Sequence, residues 1–261
     1  MRLSEMELEA LKARLIEWMR ERLQAIGAQN VVVGISGGKD SATVAALAVA
    51  AYGREHVYGV LMPDGEQSDI DYALELCHVL DIRHETLNIE HITKAFYELL
   101  GGCAFFDEVS RQTRLNMPPR VRMTLLYAVA QSVDAVVVNT SNLSEDWVGY
   151  ATMYGDTAGA FSPLAMLTTD EVVQLGLALG LPERLVVKPP SDGLTGKTDE
   201  DVLGFSYETL NTYIRTGEVP EDVQQSIDRL HKVSRFKFQT IPMFDSGLPI
   251  LADDIAHVYK K

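Results

Sequence analysis

Six adjacent residues, Ser36-Gly37-Gly38-Lys39-Asp40-Ser41, combine hydroxyls, glycines, a cation and a carboxylate. That set can hold phosphate. Glycines let the backbone come close to a ligand, and Ser36 and Ser41 add hydroxyl donors. A helix opening just after the glycines aims free N–H groups at an anion. Asp40 can hold a magnesium ion beside the phosphates. The spacing is not that of a Walker loop, which has four residues between its glycines and Ser or Thr after its Lys. Here three residues separate Gly34 from Gly38, and Asp40 follows Lys39. The plainer reading is an ordinary strand-to-helix turn. A second polar cluster, Thr140-Ser141-Asn142-Leu143-Ser144-Glu145, adds a further carboxylate. Glu145 is either a helix cap or the partner of Asp40 on the metal.

The surrounding pattern must put both clusters at one place. Val31 to Val33 reads as a buried strand, and the alanine-rich run from Ala42 to Ala51 as a helix. Leu8, Leu11, Leu15 and Met19 recur at helical spacing, which predicts an amphipathic helix over residues 5–26. His56 to Met62 and Ile82 to Ile89 are the next strands. Between them Pro63 to Glu66 is a turn, and Ser68 with Asp71 forms a capping box for a helix ending at Leu80. Residues 101–116, a poorly patterned stretch with apolar Phe105 and Phe106, read as a surface excursion at a subunit contact. Pro118-Pro119 opens a helix to Ser132, with Arg120 and Arg122 in its first turn. Ala135 to Asn139 is a fourth strand.

Farther on, Gly149 to Ala160 is a long loop, and such loops in compact domains usually serve function. Thr168 with Glu171 caps the next helix, and residues 188–200 are a lid or a linker. Helices follow over Tyr207 to Ile214 and Pro220 to Val233. The irregular tail packs Met243, Phe244 and Leu248 onto the domain. Strand and helix alternate, so the fold class is α/β: a doubly wound parallel sheet flanked by helices. Ligands of such sheets bind at the strand C-terminal ends.

Composition bounds the rest. The 261 residues are 46% hydrophobic and 23% charged, enough for one large α/β domain or two small ones. A net charge of -14 disfavours nucleic acid and anionic membranes as partners. Cys77 and Cys103 form no CxxC pair, so neither a zinc site nor a disulfide framework is expected, and a cytoplasmic setting fits. Glu5, Glu7 and Glu9 speak against a signal peptide, and no apolar run is long enough for a membrane span.

The Ser36 to Ser41 loop resembles the pyrophosphate loop of the N-type ATP pyrophosphatases. Four further segments resemble the ammonia-dependent NAD synthetases: Asn116 to Met123, Asn139 to Tyr150, Tyr154-Gly155-Asp156, and Lys188 through Tyr207. The likeness spans about residues 5–245 and implies one synthetase domain over 1–261 with no glutaminase domain. It implies a ligase with ATP as co-substrate. The carboxylate of deamido-NAD attacks the α-phosphorus, and ammonia then displaces AMP to leave NAD. By position, the resemblance puts the ATP phosphates on Gly34, Ile35, Ser36, Gly37, Gly38, Lys39, Asp40 and Ser41. It adds ATP contacts at Thr140, Thr169 and Ser191, and Mg²⁺ on Asp40 and Glu145. Arg120, Met153, Ala160 and Lys237 fall on the substrate side. Asp156 handles the ammonium proton, and Lys188 joins it at the chemical step. A homodimer is implied as well.

Four positions depart from the family pattern: Met153 for a basic residue, Ala160 for aspartate, Thr169 for a frequent lysine, and Phe236 for histidine. They leave room for the same chemistry on a different carboxylate. The phosphate loop by itself would also suit a tRNA-modifying relative or a non-catalytic ATP-binding sensor. The acidic charge speaks against the first, and the paired carboxylates favour catalysis over the second.

Overall fold

The computed structural model describes residues 2–187 and 199–253. Helix α1 (Glu5–Ile26) starts on a capping box in which the Glu7 carboxylate accepts the Ser4 N–H at 2.9 Å. There follow β1 (Asn30–Gly34), α2 (Lys39–Tyr52), β2 (Val57–Leu61), α3 (Ile70–Leu80), β3 (Arg83–Thr86), α4 (Glu90–Gly101), α5 (Arg111–Ser132) and β4 (Ala135–Val137). The second half is helical: α6 (Leu143–Val148), α7 (Thr169–Ala178), α8 (Glu183–Val186), α9 (Asp199–Leu203), α10 (Tyr207–Thr216) and α11 (Glu221–Ser234).

The strands pair in parallel in the order β3-β2-β1-β4. Side chains alternate across β1. Val31 and Val33 join the core formed with α1, α2, α3 and α7, whereas Val32 joins Val60, Val121 and Val137 on the face under α5. The chain runs outward from β1 through β2 to β3, then returns to place β4 on the other side of β1. That reversal makes a crevice at the C-terminal ends of β1 and β4. The Ser36 loop and the Thr140 segment leave the sheet there. A smaller core of Val148, Phe205, Leu210 and Ile227 ties α6 to α10 and α11.

Several expectations need correction. The helix expected to open at Pro118 begins at Arg111, with Ser110 as its cap, and both prolines lie inside it. Pro118 has no N–H for the Arg114 carbonyl, and that carbonyl instead accepts from the Tyr97 hydroxyl at 3.2 Å. Arg120 and Arg122 are therefore mid-helix. The Ser68/Asp71 capping box is not formed; Asp69 precedes α3 without a side-chain cap bond. The second and third strands are shorter than expected, and residues 54–56 are a separate helical turn. Met243, Phe244 and Leu248 are exposed and do not pack onto the domain. Among the described residues no helix is long and apolar enough to cross a membrane.

Candidate active site

The phosphate loop is built by its own hydroxyls. Ser36 N donates to Ser41 Oγ at 3.2 Å, and Gly38 N to Ser36 Oγ at 3.2 Å. Gly37 turns the chain at φ +83°, a conformation that favours glycine, with Asp69 and Ala73 backbone atoms behind it. Helix α2 then starts at Lys39 with no side chain capping its first N–H groups. Those donors and the positive end of the helix dipole suit an anion.

Two carboxylates converge beside the loop. Lys39 Nζ lies 2.8 Å from Asp40 Oδ2 and 3.6 Å from Glu145 Oε1. Burial alone would push the ammonium pKa down, but the two carboxylates outweigh it and raise it. The pair thus already brackets a cation, which is the structural test of whether these residues suit Mg²⁺. Among the described residues no group of three or more His, Cys, Asp or Glu could hold a metal alone. Magnesium ordinarily uses one or two carboxylates plus substrate phosphates, so the donor set fits.

Buried Asn142 sets this pair. Its Nδ2 donates to Asp40 Oδ1 at 3.0 Å, while its Oδ1 accepts from Glu145 N at 3.1 Å and caps α6. Deeper, Ser144 Oγ donates to Asn211 Oδ1 at 2.6 Å and accepts from Thr169 N at 3.1 Å, and Asn211 Nδ2 donates to Thr169 Oγ1 at 2.9 Å. This network ties α6, α7 and α10 together at the cavity wall. Sequence reading named Asn142 only as a member of the polar cluster, with no role of its own, and missed Asn211. An asparagine three residues before a glutamate is a cap signal that points to Asn142; no local pattern points to Asn211.

The cavity at this edge measures about 1430 Å³. Gly34, Ile35, Ser36, Gly38, Lys39, Asp40, Ser41, Thr140, Glu145, Asp156 and Thr169, all expected from the sequence, line it together. Gly37, which turns the loop, does not line the cavity. Arg120, Met153, Ala160 and Lys237 do not line this cavity. Arg120 Nε donates to the Met153 carbonyl at 3.2 Å, so these two meet on an exposed surface. Ala160 N bonds back to the Val137 carbonyl at 2.8 Å. Lys237 Nζ is engaged by the Gly149 and Ala151 carbonyls, both at 2.8 Å. Phe236 is 59% exposed and faces solvent. Lys188 and Ser191 lie outside the described residues.

Asp156 is held in place. Its Oδ1 accepts from Thr152 N at 2.6 Å, and its carbonyl accepts from Asn139 Nδ2 at 2.7 Å. Burial raises its carboxyl pKa, and the N–H bonds oppose the rise. Asp146 lines the same cavity with its Oδ1 buried and unbonded among the described residues. Burial and then the Asp156 charge push its pKa up to about 7, against the pull of Arg235. The cavity therefore pairs an anion cradle and a cation bracket with a carboxyl suited to accept a proton in partial shelter from water.

Comparison with known proteins agrees with this geometry. The NAD synthase family model matches residues 11–242. An NH(3)-dependent NAD(+) synthetase of Alkaliphilus metalliredigens is 37% identical over 239 residues, which cover 89% of this chain and 96% of that protein. The solved NMN synthetase from Francisella tularensis superposes with a TM-score of 0.84 at 30% identity, covering 94% of this chain and 100% of that one. The NH3-dependent NAD synthetase from Campylobacter jejuni gives a TM-score of 0.74 at 28% identity over 91% of this chain and 99% of that one. A match that runs through sheet, phosphate loop and carboxylate pair alike means that this chain belongs to the NAD synthase family.

Proposed function

We propose that this chain amidates deamido-NAD with ammonia and ATP, yielding NAD, AMP and pyrophosphate. The carrying observation is that one cavity joins the Ser36 to Ser41 loop, the Asp40–Glu145 pair and Asp156. In the first step a carboxylate oxygen attacks the α-phosphorus and pyrophosphate leaves. Loop N–H groups and Lys39 take up the charge that builds on the pyrophosphate. Asp40 and Glu145 would hold Mg²⁺, which when bound neutralises phosphate charge. In the second step Asp156 takes a proton from ammonium. The nitrogen then attacks the acyl carbon, and the C–O bond to AMP breaks with loss of a further proton. Thr140 and Thr169 are read as nucleotide contacts, as they border the same cavity. Arg120, Met153, Ala160 and Lys237 are read as the outer, substrate side; Lys188 and Ser191 keep the roles the resemblance implies.

Free ammonia as nitrogen donor is supported by relatives named NH(3)-dependent whose length this chain nearly spans. We read residues 1–261 as one synthetase unit in a cytoplasmic setting, with Cys77 and Cys103 as free thiols. A homodimer is supported by exposed Phe96, Leu99, Phe105 and Phe106 on α4 and the turn after it. The test is pyrophosphate release with ATP, Mg²⁺, deamido-NAD and ammonium. ADP and phosphate as products would refute the chemistry.

A second reading changes only the acid. Met153 and Ala160 carry no charge where the family has charged residues, and the NMN synthetase of Francisella tularensis is a close structural match. The mononucleotide acid is then the substrate. Comparing kcat/KM for the mononucleotide and dinucleotide acids decides between them. A preference of about tenfold for the dinucleotide, or some 1.4 kcal/mol, would remove the second reading, and the reverse would remove the first.

A further inference from the structure

The cavity is acidic. Among its described lining residues only Lys39 and Arg122 are cationic, while carboxylates come from Asp64, Glu66, Asp69, Glu145, Asp156 and others. Lys39 already sits between Asp40 and Glu145. Arg122 is different. Its Nε donates to the Met62 carbonyl at 2.9 Å, just past the end of β2, and that is its one hydrogen bond among the described residues. No carboxylate among the described residues forms an ion pair with it. Asp64 is engaged by Thr93 Oγ1 at 2.7 Å, and Asp156 by Thr152 N at 2.6 Å. Burial lowers the Arg122 pKa on balance, against the charges of Asp64 and Asp156, which favour its ionised form.

The Met62 bond engages Nε alone, so the two terminal NH₂ groups of this cavity-lining side chain have no hydrogen bond among the described residues. A planar fork held in this way matches two oxygens of a phosphate. Helix α5 stands on the opposite face of the sheet from α2, so Arg122 approaches the crevice from the wall facing the phosphate loop. A triphosphate seated on the loop therefore has a cation on the opposite wall of the same cavity.

We propose that Arg122 grips the α-phosphate of the nucleotide, the group that stays on the adenylate after pyrophosphate leaves. This rests on the reading that the cavity takes ATP. Arg122 then acts in both steps. It steadies the phosphorus during attack by the carboxylate, and it holds AMP as leaving group when ammonia arrives beside Asp156.

The test compares AMP with adenosine, which differ by that phosphate alone. Arg122→Gln keeps an NH₂ donor for the Met62 carbonyl but removes the charge. By calorimetry it should bind AMP about 10- to 100-fold more weakly than the native chain, as expected for one charge-assisted contact, with adenosine binding unchanged. Arg122→Lys should recover part of the AMP affinity. Undiminished AMP binding by Arg122→Gln would overturn the proposal, as would an equal loss for adenosine, which marks a purely structural role. A second measurement needs no variant: phenylglyoxal labelling of Arg122 in the native chain, read by mass spectrometry, should be blocked by AMP and not by adenosine. Equal labelling with either ligand overturns the proposal. A native chain that binds neither AMP nor ATP would instead refute the ATP reading itself.

Discussion

Arg215→Met should destabilise the protein by about 1–3 kcal/mol at pH 8, the cost of leaving the buried Glu171 carboxylate without a partner that itself reaches solvent. Arg215 on α10 reaches Glu171 on α7 through two bonds, Nε to Oε1 at 2.8 Å and Nη2 to Oε2 at 2.5 Å. Glu171 is 3% exposed, and its Oε2 also accepts from Thr168 N at 2.8 Å. Without Arg215 the carboxylate stays buried with one backbone donor. At roughly 2–4 °C per kcal/mol for a chain of this size, the melting temperature should fall by about 5 °C. The pH dependence supplies an internal check. Burial raises the Glu171 pKa, but the Arg215 and Thr168 bonds outweigh it, and the net shift is downward. A depressed folded pKa means stability that is present above the unfolded value of about 4.3 and is lost as pH falls through the folded value. In Arg215→Met burial acts against the Thr168 bonds alone, so the Glu171 pKa rises from its native position and the carboxylate protonates at higher pH than in the native chain. The gap between native and variant chains should therefore be widest at pH 8 and narrow toward pH 5. Urea denaturation followed by circular dichroism at both values measures it. A gap under about 1 kcal/mol at pH 8, or the same gap at both, would refute the reasoning.

Lys39→Met leaves Asp40 and Glu145 without the ammonium now between them, so its melting temperature without magnesium should fall, and added Mg²⁺ should raise it more than in the native chain. An equal gain in both chains, read by thermal unfolding, would count against the carboxylate pair as the metal site. Asp156→Asn should keep ATP–pyrophosphate exchange but slow amidation. Because burial raises the Asp156 pKa and a base acts deprotonated, native amidation should rise with pH through a value above the ordinary aspartate range, and the variant should lack that rise. Gly149→Ala places a Cβ 2.1 Å from Ser234 Cβ at φ +74°, and chemical denaturation should show a loss of about 2–4 kcal/mol, partly recovered in the double variant with Ser234→Gly.

The parts of the site legible in the sequence were those written in local chemistry. The β-branched run before a glycine turn needs only its own backbone to become β1 and the phosphate loop, and the Glu171 side chain does accept the Thr168 N–H at the start of α7. What failed depended on a distant partner. Pro118 reads as a helix start because it lacks an N–H, yet Tyr97 on α4 satisfies the carbonyl that this leaves free and the helix runs on. Asp69, not Ser68, precedes α3, since Gln67 Nε2 bonds both Asp69 and the Ser36 carbonyl and sets the turn from outside the helix. Asn211 lies far along the chain from Ser144 and Thr169, so the network joining them has no signature in any short window.

Charge balance explains why the site is arranged in this way. A triphosphate entering a cavity walled mainly by carboxylates is repelled unless each phosphate meets a cation or an N–H group. The α2 terminus and Lys39 serve the end at the loop, and Arg122 is the other described cation in the lining. The carboxylates that make the cavity hostile to phosphate are the groups that suit it to a cationic substrate. Ammonium gains from Asp156 and Asp146 what a phosphate loses there, and burial together with the neighbouring Asp156 charge holds the Asp146 pKa up at about 7. On the proposed mechanism the loop side of the cavity takes polyphosphate, the Asp156 side takes ammonium, and the acyl carbon lies where the two meet, between Arg122 and Asp156. Moving positive charge from the loop end to the Asp156 end should therefore harm both steps, even though the sum of charges is unchanged.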